Sequence, residues 1–183
     1  IENFLSVLSR EVLELKPGKV LDVGCGEGFV IKRLKEILLE ANFTGVDISS
    51  EAIAEAKNEL PNTTFHVLDI SKKIDIKNSP LGGEFDAVIC LEVLEHIKEY
   101  PQAIENIKNI SSKYFIFSVP NEPFFRLGNL IALKNVKLLG NDPEHVNNWS
   151  FLPFKRLMEK HFEVISCSYP FPWQMLICKK KES

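Results

Sequence analysis

The order of apolar and polar positions along the chain predicts strands and helices in alternation. Short runs of Val, Ile, Leu and Phe predict strands, and apolar residues at every third or fourth position predict helices. The predicted strands cover residues 19–23, 42–47, 63–68, 85–91, 113–119, 162–169 and 174–179. The predicted helices cover residues 29–40, 51–60 and 100–111, after an opening helix that ends at Pro17-Gly18. Such alternation favours an α/β fold with a mostly parallel sheet covered by helices on both faces.

Two segments depart from this alternation. Residues 71–84 are polar and contain Pro80 and Gly82-Gly83, which predicts a short helix or a loop. The last two strands are separated only by residues 170–173, too few for a helical crossover. The sequence therefore predicts a doubly wound sheet of seven strands that ends in an antiparallel hairpin.

Three alternate glycines follow the first predicted strand, in the run Val20-Leu-Asp-Val-Gly-Cys-Gly-Glu-Gly28. Glycine lets the backbone turn and approach a ligand at the start of the next helix. A dinucleotide fingerprint needs G-x-G-x-x-G, with its third glycine one position later than Gly28. The loop therefore predicts a nucleotide-type cofactor and fits a nicotinamide reductase poorly.

An acid at the end of the second predicted strand is the natural partner for a ribose. Asp47 lies 23 residues after Gly24, and an acid about 20 residues beyond such a loop can accept hydrogen bonds from ribose hydroxyls. The alternative is that Asp47 caps the following helix, although Ser49 or Ser50 could fill that place.

These motifs resemble those of the class I S-adenosylmethionine-dependent methyltransferases. The resemblance rests on the glycine run, on Gly45-Val-Asp-Ile-Ser49 and on Phe85-Asp-Ala-Val-Ile-Cys-Leu-Glu-Val-Leu-Glu-His-Ile97, and it extends from Lys19 to the C-terminus. It implies a Rossmann-like fold, S-adenosylmethionine as cofactor and S-adenosylhomocysteine as product. It also implies methyl transfer to O, N or C of a small organic acceptor, of aromatic or lipid-like character.

The resemblance implies a set of cofactor-binding residues. They are Asp22, Gly24, Cys25, Gly26, Gly28, Asp47, Ile48, Asp69, Ile70 and Leu91. Asp47 would hold the ribose, Asp69 would meet the adenine amino group, and Asp22 would position the ammonium of the methionine part. For Asp69 the alternative is a strand-end acid that caps a turn, since Ser71 lies beside it.

Two histidines are the candidate catalytic residues. His96 follows Glu92 and Glu95 directly beyond the fourth strand, and ligands of open α/β sheets bind at such strand ends. Imidazole can accept a proton near neutral pH, so His96 could act as a general base or could instead order the loop. His145 lies in a loop before a helix for which Ser150 is the predicted N-cap, with the same two alternatives.

The same residues offer a metal site as an alternative. Glu92, Glu95, His96 and His145 together resemble the metal-dependent RNA 3′-terminal 2′-O-methyltransferases of small RNAs. A divalent ion there would bind terminal ribose hydroxyls and lower the pKa of the attacking one. The chain departs from that family because it lacks a second nearby histidine and carries little positive charge.

Residues 121–149 form a lid-like insertion, and residues 1–18 hold the opening helix of a single domain that spans 1–183. The apolar lid residues are Phe124, Phe125, Leu127, Leu130, Ile131 and Leu133. They could cover an apolar acceptor or rest on a membrane surface, and ordinary packing on the sheet edge is the alternative.

Composition limits the function classes. A length of 183 residues with 45% hydrophobic content suits one domain, and a net charge of −3 disfavours a nucleic-acid partner. No apolar run approaches the ~20 residues of a transmembrane segment. Four cysteines without C-x-x-C spacing predict reduced thiols and a cytoplasmic location. A non-catalytic cofactor-binding subunit is a further alternative to an enzyme.

Overall fold

The computed structural model describes residues 2–132, 135 and 142–181, which form one sheet with helices on both faces. The strands are β1 Lys19–Val23, β2 Asn42–Asp47, β3 Thr64–Val67, β4 Glu84–Leu91, β5 Ser111–Pro120, β6 Phe162–Ser168 and β7 Trp173–Lys180. The helices over the described residues are α1 Glu2–Leu15, α2 Phe29–Lys35, α3 Ser50–Glu59, α4 Tyr100–Asn109, α5 Phe124–Ile131 and α6 Phe151–Glu159. Single 3₁₀ turns cover Ile76–Asn78 and Leu94–His96.

The seven strands lie in the order β3-β2-β1-β4-β5-β7-β6. Strand β1 pairs in parallel with β2 on one side and with β4 on the other. Strand β7 is antiparallel to both β5 and β6, which confirms the predicted terminal hairpin. The strand order reverses between β1 and β4, and ligands of such sheets bind in the crevice beyond the carboxyl ends of the strands at that point.

Successive side chains of the central strands enter separate cores on the two faces of the sheet. Val20 of β1 packs with Leu8 of α1 and Ile31 of α2 on one face. Its neighbour Leu21 packs on the other face in the core that contains Phe154 of α6. This alternation is the period of two that a strand imposes, and it explains why the apolar strand runs are almost continuous.

Two details differ from the sequence prediction. Helix α2 ends at Lys35, whereas the predicted helix extends to residue 40, because the chain must turn back to place Asn42 opposite Lys19. The exposed Leu39 lies in that turn. Ser150 does stand at the start of α6, but its side chain makes no capping hydrogen bond.

The crossover after β3 is a loop with one 3₁₀ turn, Ile76–Asn78, as its polar sequence predicts. Among the described residues, no helix combines the length and the apolar character that crossing a bilayer would require.

Candidate functional site

A cavity of about 390 Å³ opens beyond the carboxyl ends of the central strands. Its walls come from the loops after β1, β2, β3 and β4, at the point where the strand order reverses. The lining includes Gly24, Asp47, Ile48, Asp69, Ile70 and His96. These residues, far apart in the sequence, are six of the predicted site residues.

The Asp47 carboxylate joins two walls of this cavity. Its Oδ2 accepts a hydrogen bond from the Gly26 N–H at 2.8 Å, and its Oδ1 accepts one from the Ser49 N–H at 2.9 Å. The cap of α3 is Ser49, whose side chain accepts from the Ala52 N–H. Asp47 is therefore not needed as the helix cap, and its oxygens retain lone pairs toward the cavity.

The glycine loop adopts left-handed backbone angles that favour glycine. At Gly24, with φ of 79°, an added Cβ would lie 2.2 Å from a methyl carbon of Val93. At Gly26, with φ of 51°, an added Cβ would meet nothing within 4 Å. The backbone therefore lies close to the β4 loop at Gly24, whereas Gly26 faces open space.

Two other residues of the predicted cofactor set face the protein interior. An added Cβ at Gly28 would lie 3.2 Å from Leu60 and 3.3 Å from Phe65. Cys25 is 7% exposed and belongs to the same apolar core as Phe65. Neither residue lines the cavity, and the backbone N–H of each already donates within the protein, that of Cys25 to the Val46 carbonyl and that of Gly28 to the Cys25 carbonyl.

Asp22 is a buried acid beneath the loop. It is 2% exposed, and its Oδ2 has no hydrogen-bond partner among the described residues. Burial, together with the charge of Asp47, raises the pKa of Asp22 to about 7. An unpaired buried carboxyl of this kind favours a nearby cation.

Asp69 both caps a turn and lines the cavity. Its Oδ1 accepts a hydrogen bond from the Ser71 N–H at 2.9 Å, as the turn alternative expects. The following backbone is fixed by Asn106 of α4, whose amide donates to the carbonyls of Ile70 and Lys72. The backbone that follows this acid is therefore held in place by α4.

Two acids at the end of β4 are held in unusual environments. Glu92 has a left-handed φ of 57°, and its carboxylate accepts a 2.8 Å hydrogen bond from the Ser118 hydroxyl. Glu95 is 1% exposed, and neither of its carboxylate oxygens has a hydrogen-bond partner among the described residues. Burial raises the pKa of both acids, and the charge of Glu92 raises that of Glu95 further.

The two candidate catalytic histidines lie against each other. The rings of His96 and His145 are 4.9 Å apart, edge to face. His96 Nδ1 lies 3.2 Å from the Glu144 carbonyl. Because a carbonyl only accepts, Nδ1 carries the proton and Nε2 keeps a free lone pair. Burial and the neighbouring His96 lower the pKa of His145, which favours its neutral form.

Three of the four residues of the metal alternative come together. Ligand atoms of Glu95, His96 and His145 all lie within 4.8 Å of one another, in the part of the chain that the structure describes. Glu92 is not part of this group and bonds to Ser118 instead.

Sequence reasoning missed two polar residues that hold these loops. Ser118 lies fully buried in β5, and the signal was the one hydroxyl within the apolar run of residues 115–120. The Asn147 amide donates to the carbonyls of Leu94 and Ile97, so it ties the His145 loop to the β4 loop. Nothing in the local sequence pattern marks Asn147.

The described part of the lid-like insertion is helix α5 and the loop that contains His145. Phe125 packs against His145, with ring centres 5.3 Å apart. Phe124, Leu127 and Ile131 are exposed. Leu133, a predicted lid residue, lies outside the described residues.

Comparison with known proteins identifies the family. A family model described as a methyltransferase domain matches residues 2–166. The chain belongs to the class I S-adenosylmethionine-dependent methyltransferase family.

Curated relatives of this methyltransferase chain include two ubiquinone biosynthesis O-methyltransferases. The one from Xanthomonas oryzae pv. oryzae (strain PXO99A) is 33% identical over 178 residues, which cover 88% of this chain and 70% of the relative. The one from Dechloromonas aromatica is 35% identical over 94 residues, 48% of this chain and 37% of the relative. The matches cover 34% to 52% of three further relatives, so the chain spans about half or less of these proteins.

The methyltransferase fold is also found in solved structures. The methyltransferase domain of bacterial CtHen1-C superposes with a TM-score of 0.75 and 18% identity over 98% of each chain. At this identity the likeness concerns the fold.

The buried acid beneath the glycine loop predicts a pH dependence of stability. The pKa of Asp22 is about 7 in the folded chain and 3.8 ordinarily. Folding therefore favours the protonated form, and this contribution is lost as the pH rises through 7. Asp22→Asn removes this pH-dependent loss. Without ligand, the free energy of unfolding of the variant minus that of the parent should be larger at pH 8 than at pH 5 by about 2–3 kcal/mol. Urea denaturation at both pH values measures this difference, and a constant difference would contradict the assignment.

Proposed function

We propose that the chain is an S-adenosylmethionine-dependent methyltransferase that acts on O, N or C of a small organic acceptor. The observation that carries this proposal is the cavity at the strand reversal, where Asp47 and Asp69 lie beside the glycine loop. Relatives named as ubiquinone biosynthesis O-methyltransferases support an acceptor of small-molecule type.

The residues present fit this cofactor. Ile48 is 66% exposed and lines the cavity, which leaves an apolar surface for a flat base such as adenine. Asp47 offers carboxylate lone pairs to ribose hydroxyls. The unpaired Oδ2 of Asp22, beneath the glycine loop, suits the ammonium of the methionine part.

The chain's own contribution to the reaction is alignment and proton removal. S-adenosylmethionine, when bound, supplies a methyl group already activated by a positively charged sulfur. The acceptor would supply the electron pair for the new bond, so the residues of the chain have to place the acceptor and remove its proton. The protein holds the two reactants in line and excludes water, which accounts for much of the rate enhancement in such a transfer.

We assign proton removal to the histidine pair. His96 lines the cofactor cavity, and its Nε2 lone pair is free because Nδ1 donates to the Glu144 carbonyl. The His145 ring packs against the His96 ring. The proton that leaves the acceptor oxygen or nitrogen would pass to this pair.

Substitution of Asp47 tests the cofactor site. In Asp47→Asn, loss of charged hydrogen bonds to the ribose should weaken S-adenosylhomocysteine binding by about tenfold to a hundredfold. Isothermal titration calorimetry measures the Kd. Asp75→Asn makes the same change at an exposed acid outside the cavity and should leave the Kd within about twofold of the parent. Equal effects of the two substitutions would count against the assignment.

A second candidate function, the metal-assisted 2′-O-methylation of an RNA 3′ end, rests on Glu95, His96 and His145. A carboxylate and two imidazoles form a ligand set for a divalent ion, and the two unpartnered oxygens of Glu95 fit a cation. The ion's chemistry would be to bind ribose hydroxyls and lower their pKa. The net charge of −3 gives no general attraction to RNA, so the small acceptor is our first proposal.

Titration with Mn²⁺ separates the two candidates. If the ion site exists, Mn²⁺ should bind saturably, with a micromolar Kd, to protein saturated with S-adenosylhomocysteine. His145→Ala should abolish this binding, and His161→Ala, a histidine outside the group, should retain it. Absence of binding to the parent protein would eliminate the metal-assisted candidate and leave the histidines as metal-free groups.

A further inference from the structure

A second cavity, of about 290 Å³, adjoins the cofactor cavity, and Glu92 lines both. Its walls come from α1, the start of α2, the end of β4, α5 and β7. Glu92 belongs to both linings, so the two cavities meet at this residue. We call the second cavity the acceptor cavity.

Aromatic rings make up half of the residues that line the acceptor cavity. Phe4 packs edge-on against Trp173, with ring centres 5.4 Å apart, and Phe125 lies 6.3 Å from the same indole. Phe29 completes this group and is 57% exposed. A phenylalanine that leaves more than half of its surface open beside other rings offers a face for stacking.

Glu92 is the one charged side chain among the described residues of this lining. Its backbone φ of 57° and the hydrogen bond from Ser118 fix the carboxyl in place. No lysine, arginine or histidine is among the described residues that line the cavity, so nothing there would offset an anionic group. The lining therefore suits an apolar body with a neutral hydrogen-bond donor.

We propose that the acceptor cavity binds the ring of a neutral aromatic hydroxyl compound, with its hydroxyl oriented by Glu92 at the edge of the cofactor cavity that His96 lines. The inference rests on the proposed methyltransferase function and specifies its substrate class. A cavity of about 150 Å³ holds a benzene ring, so the observed volume accommodates one or two fused rings. The hydroxyl oxygen then lies where the two cavities meet, on the side from which a methyl group would arrive.

Two probes that differ in charge test this assignment. At pH 7, 2-naphthol is neutral and 2-naphthoate is an anion with the same ring system. Calorimetric titration into protein saturated with S-adenosylhomocysteine should give a Kd for 2-naphthol at least about tenfold lower than for 2-naphthoate.

Two phenylalanine substitutions locate the binding site. Phe29→Ala removes an exposed ring from the cavity wall and should weaken 2-naphthol binding at least about fivefold. Phe124→Ala removes a ring of 47% exposure outside the lining and should change the Kd less than about twofold. Both side chains are largely exposed, and S-adenosylhomocysteine binding in each variant verifies the fold.

The outcomes separate this inference from the function on which it rests. If S-adenosylhomocysteine binds while the two probes bind equally, or while Phe29→Ala has no more effect than Phe124→Ala, the acceptor assignment is wrong and the proposed function stands. If the parent protein binds neither S-adenosylhomocysteine nor 2-naphthol, both are wrong.

Discussion

The hydrogen bonds of one carboxylate, that of Asp47, hold the shape of the whole cofactor cavity. Asp47 accepts from Gly26 in the glycine loop and from Ser49 at the start of α3. The Gly24 N–H adds a hydrogen bond to the Val46 carbonyl of the neighbouring strand. These contacts join the ends of β1 and β2, where left-handed glycines let the chain turn sharply. The cavity, the placement of Asp22 beneath the loop and the approach of the β4 loop all depend on this junction.

Burial of acids is the second constraint on the site. Asp22 and Glu95 lie almost fully buried, and each has carboxyl oxygens with no hydrogen-bond partner among the described residues. Such groups reduce the stability of the empty protein unless they are protonated or meet a cation. A sulfonium cofactor with an ammonium group would meet this need at Asp22. In the metal-assisted candidate, an ion shared with the histidine pair would meet the same need at Glu95.

The fold was largely predictable because its signals are local. Each predicted strand has a counterpart in the structure, since buried parallel strands require continuous apolar runs. The predicted end of α2 was wrong. Where this helix ends depends on the register of β2 against β1, which is a property of the sheet that the helix sequence does not carry. Ser150 does stand before α6 as predicted, but its side chain does not make the predicted capping hydrogen bond.

For the site too, local motifs could be predicted from the sequence, whereas features that depend on the assembled fold could not. That Gly24, Asp47 and His96 lie around one cavity could be predicted, because each belongs to a contiguous motif at the end of a predicted strand. The acceptor cavity was not found because folding assembles it from Phe4 and Trp173, at opposite ends of the chain. The structure groups Glu95 with His96 and His145 and leaves Glu92 outside this group. That grouping depends on the directions of the side chains, which sequence spacing does not determine.

Transfer of a labelled methyl group is the most direct test of the central claim. The chain would be incubated with S-adenosylmethionine carrying a tritiated methyl group and with a small-molecule extract of cells. The account predicts label in extractable small molecules, formation of S-adenosylhomocysteine, and loss of both in Asp47→Asn. If the chain binds the cofactor but transfers no label to any molecule of the extract, that result would contradict the proposed methyltransferase activity and would favour a non-catalytic binding subunit.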